Sequence, residues 1–229
     1  MRHVKFEVPS PEVAEKYLRV WHSGDLFHRP ETFPRISSPG LFGNDHPLEI
    51  EIGSNTGEYL CALAQANPGR NYVGVEISLK PAYVAVNLAA SLRLDNIVFV
   101  KAPAQDIYRL IPDEALSAAH MLFPDPALHP KFRKRRLFGP AFLDVMHRAL
   151  APGGTITLVT DKPEVLAYAL ETVEADPRFQ RLHEEPYLLG FDSPRKTRYQ
   201  RYWERHGGAI YRVELRRQLP PAPIGGAGM

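Results

Sequence analysis

The sequence predicts an α/β protein with a doubly wound, mostly parallel sheet. Two observations predict it. Short apolar runs alternate with stretches of helical spacing from residue 48 to residue 175, and polar residues gather just beyond the carboxyl ends of those runs: the 53–57 turn, Glu76, Asp125 and Asp161. Strands that alternate with helices are joined by crossovers and therefore run parallel.

Residues 1–46 read as an N-terminal extension, irregular and rich in proline and aromatic residues, with a short helix over 11–21. The main domain spans 47–219. Its first strand is 48–52, apolar with glutamates at alternate positions. The turn Gly53-Ser54-Asn55-Thr56-Gly57 leads to a helix over 58–66. The second strand, 72–77, carries Glu76 near its end and precedes an Ala-rich helix over 81–92. A third strand at 96–100 and a short helix at 104–110 follow. Residues 120–123 form a strand that enters the turn Pro124-Asp125-Pro126. An amphipathic helix over 137–150 is closed by Pro152-Gly153-Gly154, and a strand over 155–160 ends at Asp161. Proline in its first turn opens the helix over 163–175. Segments 182–189 and 209–215 complete seven strands as a closing antiparallel pair. Residues 190–208 form a long connection without a clear helix, and loops of that length are usually functional or disordered. The Pro/Gly/Ala-rich tail, 220–229, reads as disordered.

The formal charge of the 229 residues is only +2, but cations are gathered at 131–136 and 195–205. Local clustering governs the steering of a polyanion more than net charge does. The single cysteine, Cys61, cannot form an internal disulfide and reads as core packing in a reducing, cytoplasmic protein. No apolar run is long enough to span a membrane, and the N-terminus has no signal-peptide apolar region. The nine histidines show no metal-ligand spacing with Cys61, so no metal site is expected, and His120 reads as a packing or surface group.

In open α/β sheets, ligands bind beyond the carboxyl ends of the strands. Acids placed there are costly unless they meet a ligand, water or a cation. The 53–57 turn lacks the Gly-Lys-Ser/Thr of a phosphate loop and the full Gly-x-Gly-x-x-Gly of a dinucleotide turn, which argues against a nicotinamide dehydrogenase. A nucleoside without phosphates suits it. Glu51 before the turn, and Glu76 at the separation from which an acid reaches ribose hydroxyls, suit a ligand with cationic groups and sugar hydroxyls. S-adenosylmethionine has both.

Phe123-Pro124-Asp125-Pro126 sets an acid between two prolines, just before Lys131-Phe132-Arg133-Lys134-Arg135-Arg136, which has five cations in six positions. Proline fixes φ and keeps its predecessor from helix, so Asp125 is aimed rather than mobile. A stiff acid beside a cationic run suits a nucleotide within RNA.

The runs Leu48–Gly57, Tyr72–Glu76, Leu122-Phe-Pro-Asp-Pro126 with Lys134-Arg-Arg136, Pro152-Gly-Gly, Thr160-Asp161 and Thr197-Arg-Tyr199 resemble the bacterial tRNA (guanine-N7)-methyltransferase family, in order and in rough spacing, from about Leu48 to Leu215. The resemblance implies a class I methyltransferase fold and methyl transfer from S-adenosylmethionine to N7 of a guanosine in the tRNA variable loop. It implies that Glu51, Gly53, Ser54, Gly57, Glu76 and Pro103 line the cofactor site. It makes Asp125 the catalytic or guanine-binding acid, and His129, Lys131, Arg133, Lys134, Arg136, Asp161, Thr197 and Gln200 substrate contacts. Several positions depart from the family pattern. Ala127 replaces a tryptophan, His129 a lysine, Pro103 an aspartate near the adenine and Gln200 a glutamate; Gln105 or Asp106 could supply the adenine contact. The alternatives are a member that binds tRNA with altered or lost activity, and a methyltransferase of another RNA or a small molecule. The expected partner is tRNA, and the expected state a monomer or homodimer.

Overall fold

The computed structural model describes residues 6–126 and 136–218. In chain order its elements are α1 (Pro11–Tyr17), β1 (Leu18–Val20), α2 (Ser23–His28), α3 (Ser38–Phe42), β2 (Leu48–Ile52), α4 (Glu58–Ala66), β3 (Asn71–Glu76), α5 (Leu79–Ser91), β4 (Ile97–Lys101) and α6 (Ala104–Ile107). They continue as β5 (Leu116–Leu122), α7 (Pro140–Ala149), β6 (Leu150–Thr160), α8 (Pro163–Glu174), β7 (Phe179–Arg181), β8 (Leu188–Leu189), α9 (Arg198–Arg205) and β9 (Tyr211–Arg217). The sheet order is β1-β4-β3-β2-β5-β6-β9-β7, with β8 also on β9. Every pair from β1 to β6 is parallel, and β9 is antiparallel to β6, β7 and β8.

The parallel, doubly wound core matches the sequence reading, but among the described residues the sheet has nine strands where seven were expected. The helix expected over 11–21 stops at Tyr17, where Leu18 turns extended (φ −120°, ψ 134°) and the chain joins the edge of β4 as β1. Three residues carry too little alternation to read as a strand. Of the strand expected over 182–189 only Leu188–Leu189 forms, as β8; β7 lies before that span, at Phe179–Arg181, and both pair with β9. The connection expected to lack a helix contains α9, which is held by caps and ion pairs rather than by an apolar stripe. The disordered tail expected over 220–229 lies outside the described residues.

β2 and β3 are buried along their whole length, as parallel strands covered on both faces must be. On one face Leu60, Cys61, Tyr72, Val86 and Phe99 pack between α4 and α5. On the other, Ile50, Val73, Met121, Leu143 and Leu158 pack beneath α6, α7 and α8, joined by Trp21, Leu26 and Ile36 from the first 46 residues. The chain winds outward from β2 through β3 to β4, then returns to place β5 against the other side of β2. The switch in direction therefore lies between β2 and β5, and in such sheets the crevice beyond that point takes the ligand.

Gly57 closes the turn between β2 and α4 at φ 70°, and a Cβ there would lie 2.7 Å from Ala85 Cβ and 2.9 Å from Phe99 Cζ. Gly57→Ala combines a left-handed backbone with overpacking and is expected to cost about 1–3 kcal/mol. Chemical denaturation checks this; an unchanged midpoint would mean that α5 and Phe99 yield freely.

Candidate active site at the carboxyl ends of the strands

The turn after β2 is built by backbone strain and satisfied amides. Gly53 (φ 82°), Asn55 (φ 47°) and Gly57 (φ 70°) are left-handed, which bends the chain tightly at the sheet end. The N–H groups of Gly53 and Ser54 both donate to Val75 O, at 2.8 and 3.0 Å, so the turn is clamped to β3. Glu76, the last residue of β3, accepts the Asn55 N–H at 3.0 Å and the Ser78 N–H at 2.7 Å. Burial pushes the Glu76 carboxyl above its ordinary value, and those two N–H groups oppose the rise. Gly74 leaves room for Ser54, whose Oγ would lie 2.8 Å from a Cβ there.

Glu51 is 3% exposed, and its Oε2 has no hydrogen-bond partner among the described residues; nor does the buried Oγ of Ser54. Burial lifts the Glu51 carboxyl well above the usual carboxylate range, and the negative charge of Glu76 adds to the rise. Orphaned buried acceptors are costly, so they mark where donors from a ligand fit. Ile77, directly after Glu76, is 63% exposed and offers apolar surface at the same lip. An unpartnered acid, a hydroxyl, a second acid and an apolar edge suit a nucleoside bearing hydroxyls and a cationic group. Glu51, Ser54 and Glu76 could hold the polar part of S-adenosylmethionine. Pro103 lies just past β4, and its carbonyl accepts the Asp106 N–H at 3.1 Å, so it starts α6 and adds only an apolar ring.

A second buried glutamate on β2 is fully employed. Glu49 Oε1 lies 2.9 Å from Arg70 Nη1, and its Oε2 lies 2.8 Å from His120 Nε2, which must carry the proton because the carboxylate only accepts. Burial raises the Glu49 carboxyl, but the hydrogen bond and charge of His120, with Arg70, outweigh it and hold the group below its ordinary value. His120 Nδ1 lies 3.4 Å from Tyr59 OH, so His120 is a core group, as expected. The two glutamates of β2 thus differ in kind: Glu49 is paired inside the fold, and Glu51 waits at its end.

Across the switch point, β5 delivers Phe123 in a left-handed conformation (φ 51°), with its N–H on Val159 O at 2.7 Å. A bulky residue before proline rarely adopts that region, and such strain concentrates at functional sites. It turns the chain so that Pro124, Asp125 and Pro126 line a small pocket with Arg136, Phe138 and Tyr168. The Arg136 guanidinium stacks 4.7 Å above the Tyr168 ring, and its buried Nε has no partner among the described residues. Sequence reasoning misses Tyr168, which sits in the middle of an ordinary amphipathic helix with no local signal. Ala127, His129, Lys131, Arg133, Lys134 and Arg135 lie outside the described residues.

At the end of β6, the Asp161 side chain is 4% exposed and its Oδ2 lies 2.8 Å from Lys162 Nζ. Lys162 in turn sits 4.7 Å above the Trp203 ring. Thr197 is the N-cap of α9, its Oγ1 accepting the Gln200 N–H at 3.0 Å. Gln200 is fully buried: its Nε2 donates to Phe191 O and Glu204 Oε1, and its Oε1 accepts from Ser193 Oγ. The structure thus gives Gln200 the work of folding the 190–208 segment, and no surface toward a substrate. Asp125 and Asp161 follow the carboxyl ends of β5 and β6, on the same edge of the sheet as Glu51 of β2 and Glu76 of β3, and Arg136 lines the pocket of Asp125; Gln200 is buried within its own segment.

Among the described residues, no cluster of acids, histidines or cysteines could hold a metal ion, and no helix is long and apolar enough to cross a membrane.

A family model described as "Putative methyltransferase" matches residues 45–213. The chain is 47% identical to a tRNA (guanine-N(7)-)-methyltransferase of Rubrobacter xylanophilus, over 93% of this chain and 95% of that protein. It is 36% identical to the protein of the same name from Chloroherpeton thalassium, over 93% and 94% of the two chains. Among solved structures, the 16S rRNA methyltransferase KamB matches with a TM-score of 0.55 at 15% identity, covering 78% of this chain and 91% of that one. At that identity the likeness shows the fold alone, a class I methyltransferase fold.

Proposed function

Because the chain belongs to the tRNA (guanine-N(7)-)-methyltransferase family, we propose that its strand-end face moves a methyl group from S-adenosylmethionine to N7 of a guanosine in the tRNA variable loop. The observation that carries this assignment of the face is the pair of orphaned acceptors, Glu51 Oε2 and Ser54 Oγ, across the switch point from the strained Phe123-Pro124-Asp125 turn. The cofactor supplies an electrophilic methyl on a sulfonium.

Guanine N7 has an exposed lone pair and no proton to lose, so the residues here need not act as a general base. Their work is positioning. Glu51, Ser54 and Glu76 would hold the polar groups of the cofactor, and Ile77 and Pro103 would offer apolar surface to its base. Asp125 and Asp161 favour the positive charge that grows on the guanine ring as N7 is alkylated. Asp125 can also accept the guanine N1–H and N2–H₂ edge, a pattern adenine lacks. Arg136, held flat by Tyr168, and the cations at 131–135 bind tRNA phosphate, which positions without reading sequence. Thr197 and the segment it caps flank the target nucleotide, while Gln200 supports that segment from inside.

The test of the reaction uses tRNA transcribed with 7-deazaguanosine, which has carbon in place of N7. Methyl uptake is expected on ordinary transcripts and none on the deaza transcripts; equal uptake would move the target to another atom. The test of the cationic run replaces Arg133, Lys134 and Arg136 with alanine. With three cations removed from the phosphate backbone, the slope of log affinity against log salt should flatten by about 2–3. Cofactor affinity should hold within about twofold, since these side chains act through phosphate. Indifference of tRNA binding to both salt and substitution would reduce the run to a solvated face.

A further inference from the structure

Glu58 is the first residue of α4, immediately after Gly57, and its carboxylate reaches 140 residues along the chain to the start of α9. Its Oε2 accepts the Arg198 N–H at 2.6 Å, and its Oε1 lies 3.1 Å from Arg201 Nη2. Arg198 is the first residue of α9, so its N–H is one of the donors a helix cannot satisfy internally, and a carboxylate there is also favoured by the positive end of the helix dipole. The Glu58 side chain is 14% exposed, so this contact is partly shielded from water.

Only part of α9 is packed into the fold. Gln200 is its one buried residue, and Trp203 packs partly against the small cluster of Tyr59, Leu122, Val159, Phe191 and Ile210. Yet α9 carries the aromatic wall of the site. Tyr199 lies 5.1 Å from Phe123, the residue that aims Asp125, and Trp203 lies under Lys162, the partner of Asp161.

We infer that Glu58 is a positioning residue that docks the 190–208 segment onto the cofactor turn and so sets the aromatic wall of α9 in register with Asp125. This rests on the reading of the strand-end face as the methyl-transfer site. The docking is a single carboxylate with two charge-assisted or helix-end contacts, so the wall and the cofactor turn move together. Thr197 caps α9 from within, but nothing in that cap ties the helix to the turn.

The experiment compares Glu58→Ala, Glu58→Gln, Arg201→Ala and the Glu58→Ala/Arg201→Ala double variant in the full chain. Three readouts are taken: trypsin cleavage between Arg195 and Arg205, S-adenosylmethionine affinity by calorimetry, and steady-state methylation of tRNA at saturating cofactor. Glu58→Ala should speed cleavage and lower kcat/KM for tRNA by about tenfold, the scale of one charge-assisted hydrogen bond. Cofactor affinity should move by less than about twofold, because Glu58 points at α9 rather than into the turn. Glu58→Gln keeps an acceptor for the Arg198 N–H and should recover part of both losses. The double variant should be no worse than Glu58→Ala, since the two residues share one contact. Unchanged cleavage in Glu58→Ala, additive losses in the double variant, or a loss confined to cofactor affinity would each overturn the inference. Cleavage and calorimetry need no methyl transfer, so a wild type without activity would strike the proposed reaction while leaving the docking tested.

Discussion

Asp125→Asn should slow methyl transfer by about 10²–10³-fold, the scale of removing one preorganised group from a developing charge. The carboxylate sits after a left-handed Phe123 and between Pro124 and Pro126, so its direction is fixed before substrate arrives. Preorganised charge acts without reorganisation at the moment of reaction, and guanine becomes cationic only as the bond to N7 forms. The substitution keeps size and hydrogen-bonding capacity and removes the charge that the transition state uses most. Affinity for tRNA should change by less than about threefold, because phosphate contacts dominate binding. Fold stability should hold, since Asp125 is exposed on a strand-end turn. Single-turnover methylation at saturating tRNA and cofactor makes the comparison, and equal rates would remove Asp125 from the chemistry.

Glu51→Gln should act on binding and stability in opposite directions. The carboxyl is buried with one oxygen unpartnered among the described residues, and its acidity is suppressed by burial and by Glu76. A group whose folded pKa is raised is protonated more readily in the folded protein than in the unfolded chain. The cofactor-free protein therefore loses stability as pH rises from the ordinary glutamate value near 4.5 through the raised value, and does not regain it above. Glutamine cannot ionise, so the variant should lack that pH dependence, and its advantage over the wild type should grow with pH across that window. Above that window the gain should be about 1–3 kcal/mol, the cost of an unsatisfied buried polar group. Cofactor binding should weaken by about 1.5–3 kcal/mol, the worth of a hydrogen bond to a charged group. Thermal melts across pH, with and without S-adenosylmethionine, read both effects. A variant that is less stable and binds normally would make Glu51 a structural residue.

The features that show in the sequence are those where a residue type conflicts with its surroundings. Glu51 and Glu76 are acids near the ends of wholly buried strands, where an acid is costly without a partner. Asp125 is flanked by prolines, so its rigidity is written locally. The alternation of apolar runs and helical spacing carries the parallel core because each crossover repeats the same two periods.

What escapes the sequence depends on contacts between distant residues. α9 reads Arg-Tyr-Gln-Arg-Tyr-Trp-Glu-Arg, with no apolar period, and it is fixed by Thr197, Glu58 and a buried Gln200. Glu58 itself looks like an ordinary acid in the first turn of a helix, and its tie to Arg198 appears only once β5 and β6 bring the chain back beside β2. Gln200 takes the place of a substrate contact in the sequence pattern, yet its amide is spent on Phe191, Ser193 and Glu204. β1 is three residues long and is visible only through its pairing with β4.

Alkylation of guanine N7 in tRNA by this face is tested most directly by incubating the protein with trideuteromethyl S-adenosylmethionine and unmodified tRNA, digesting the RNA to nucleosides and identifying the labelled product by mass spectrometry. The expected result is trideuterated N7-methylguanosine at no more than one residue per tRNA, and none with Asp125→Asn on the timescale of wild-type turnover. Tight cofactor binding with no labelled N7-methylguanosine on any tRNA, or label on a different atom, would contradict it.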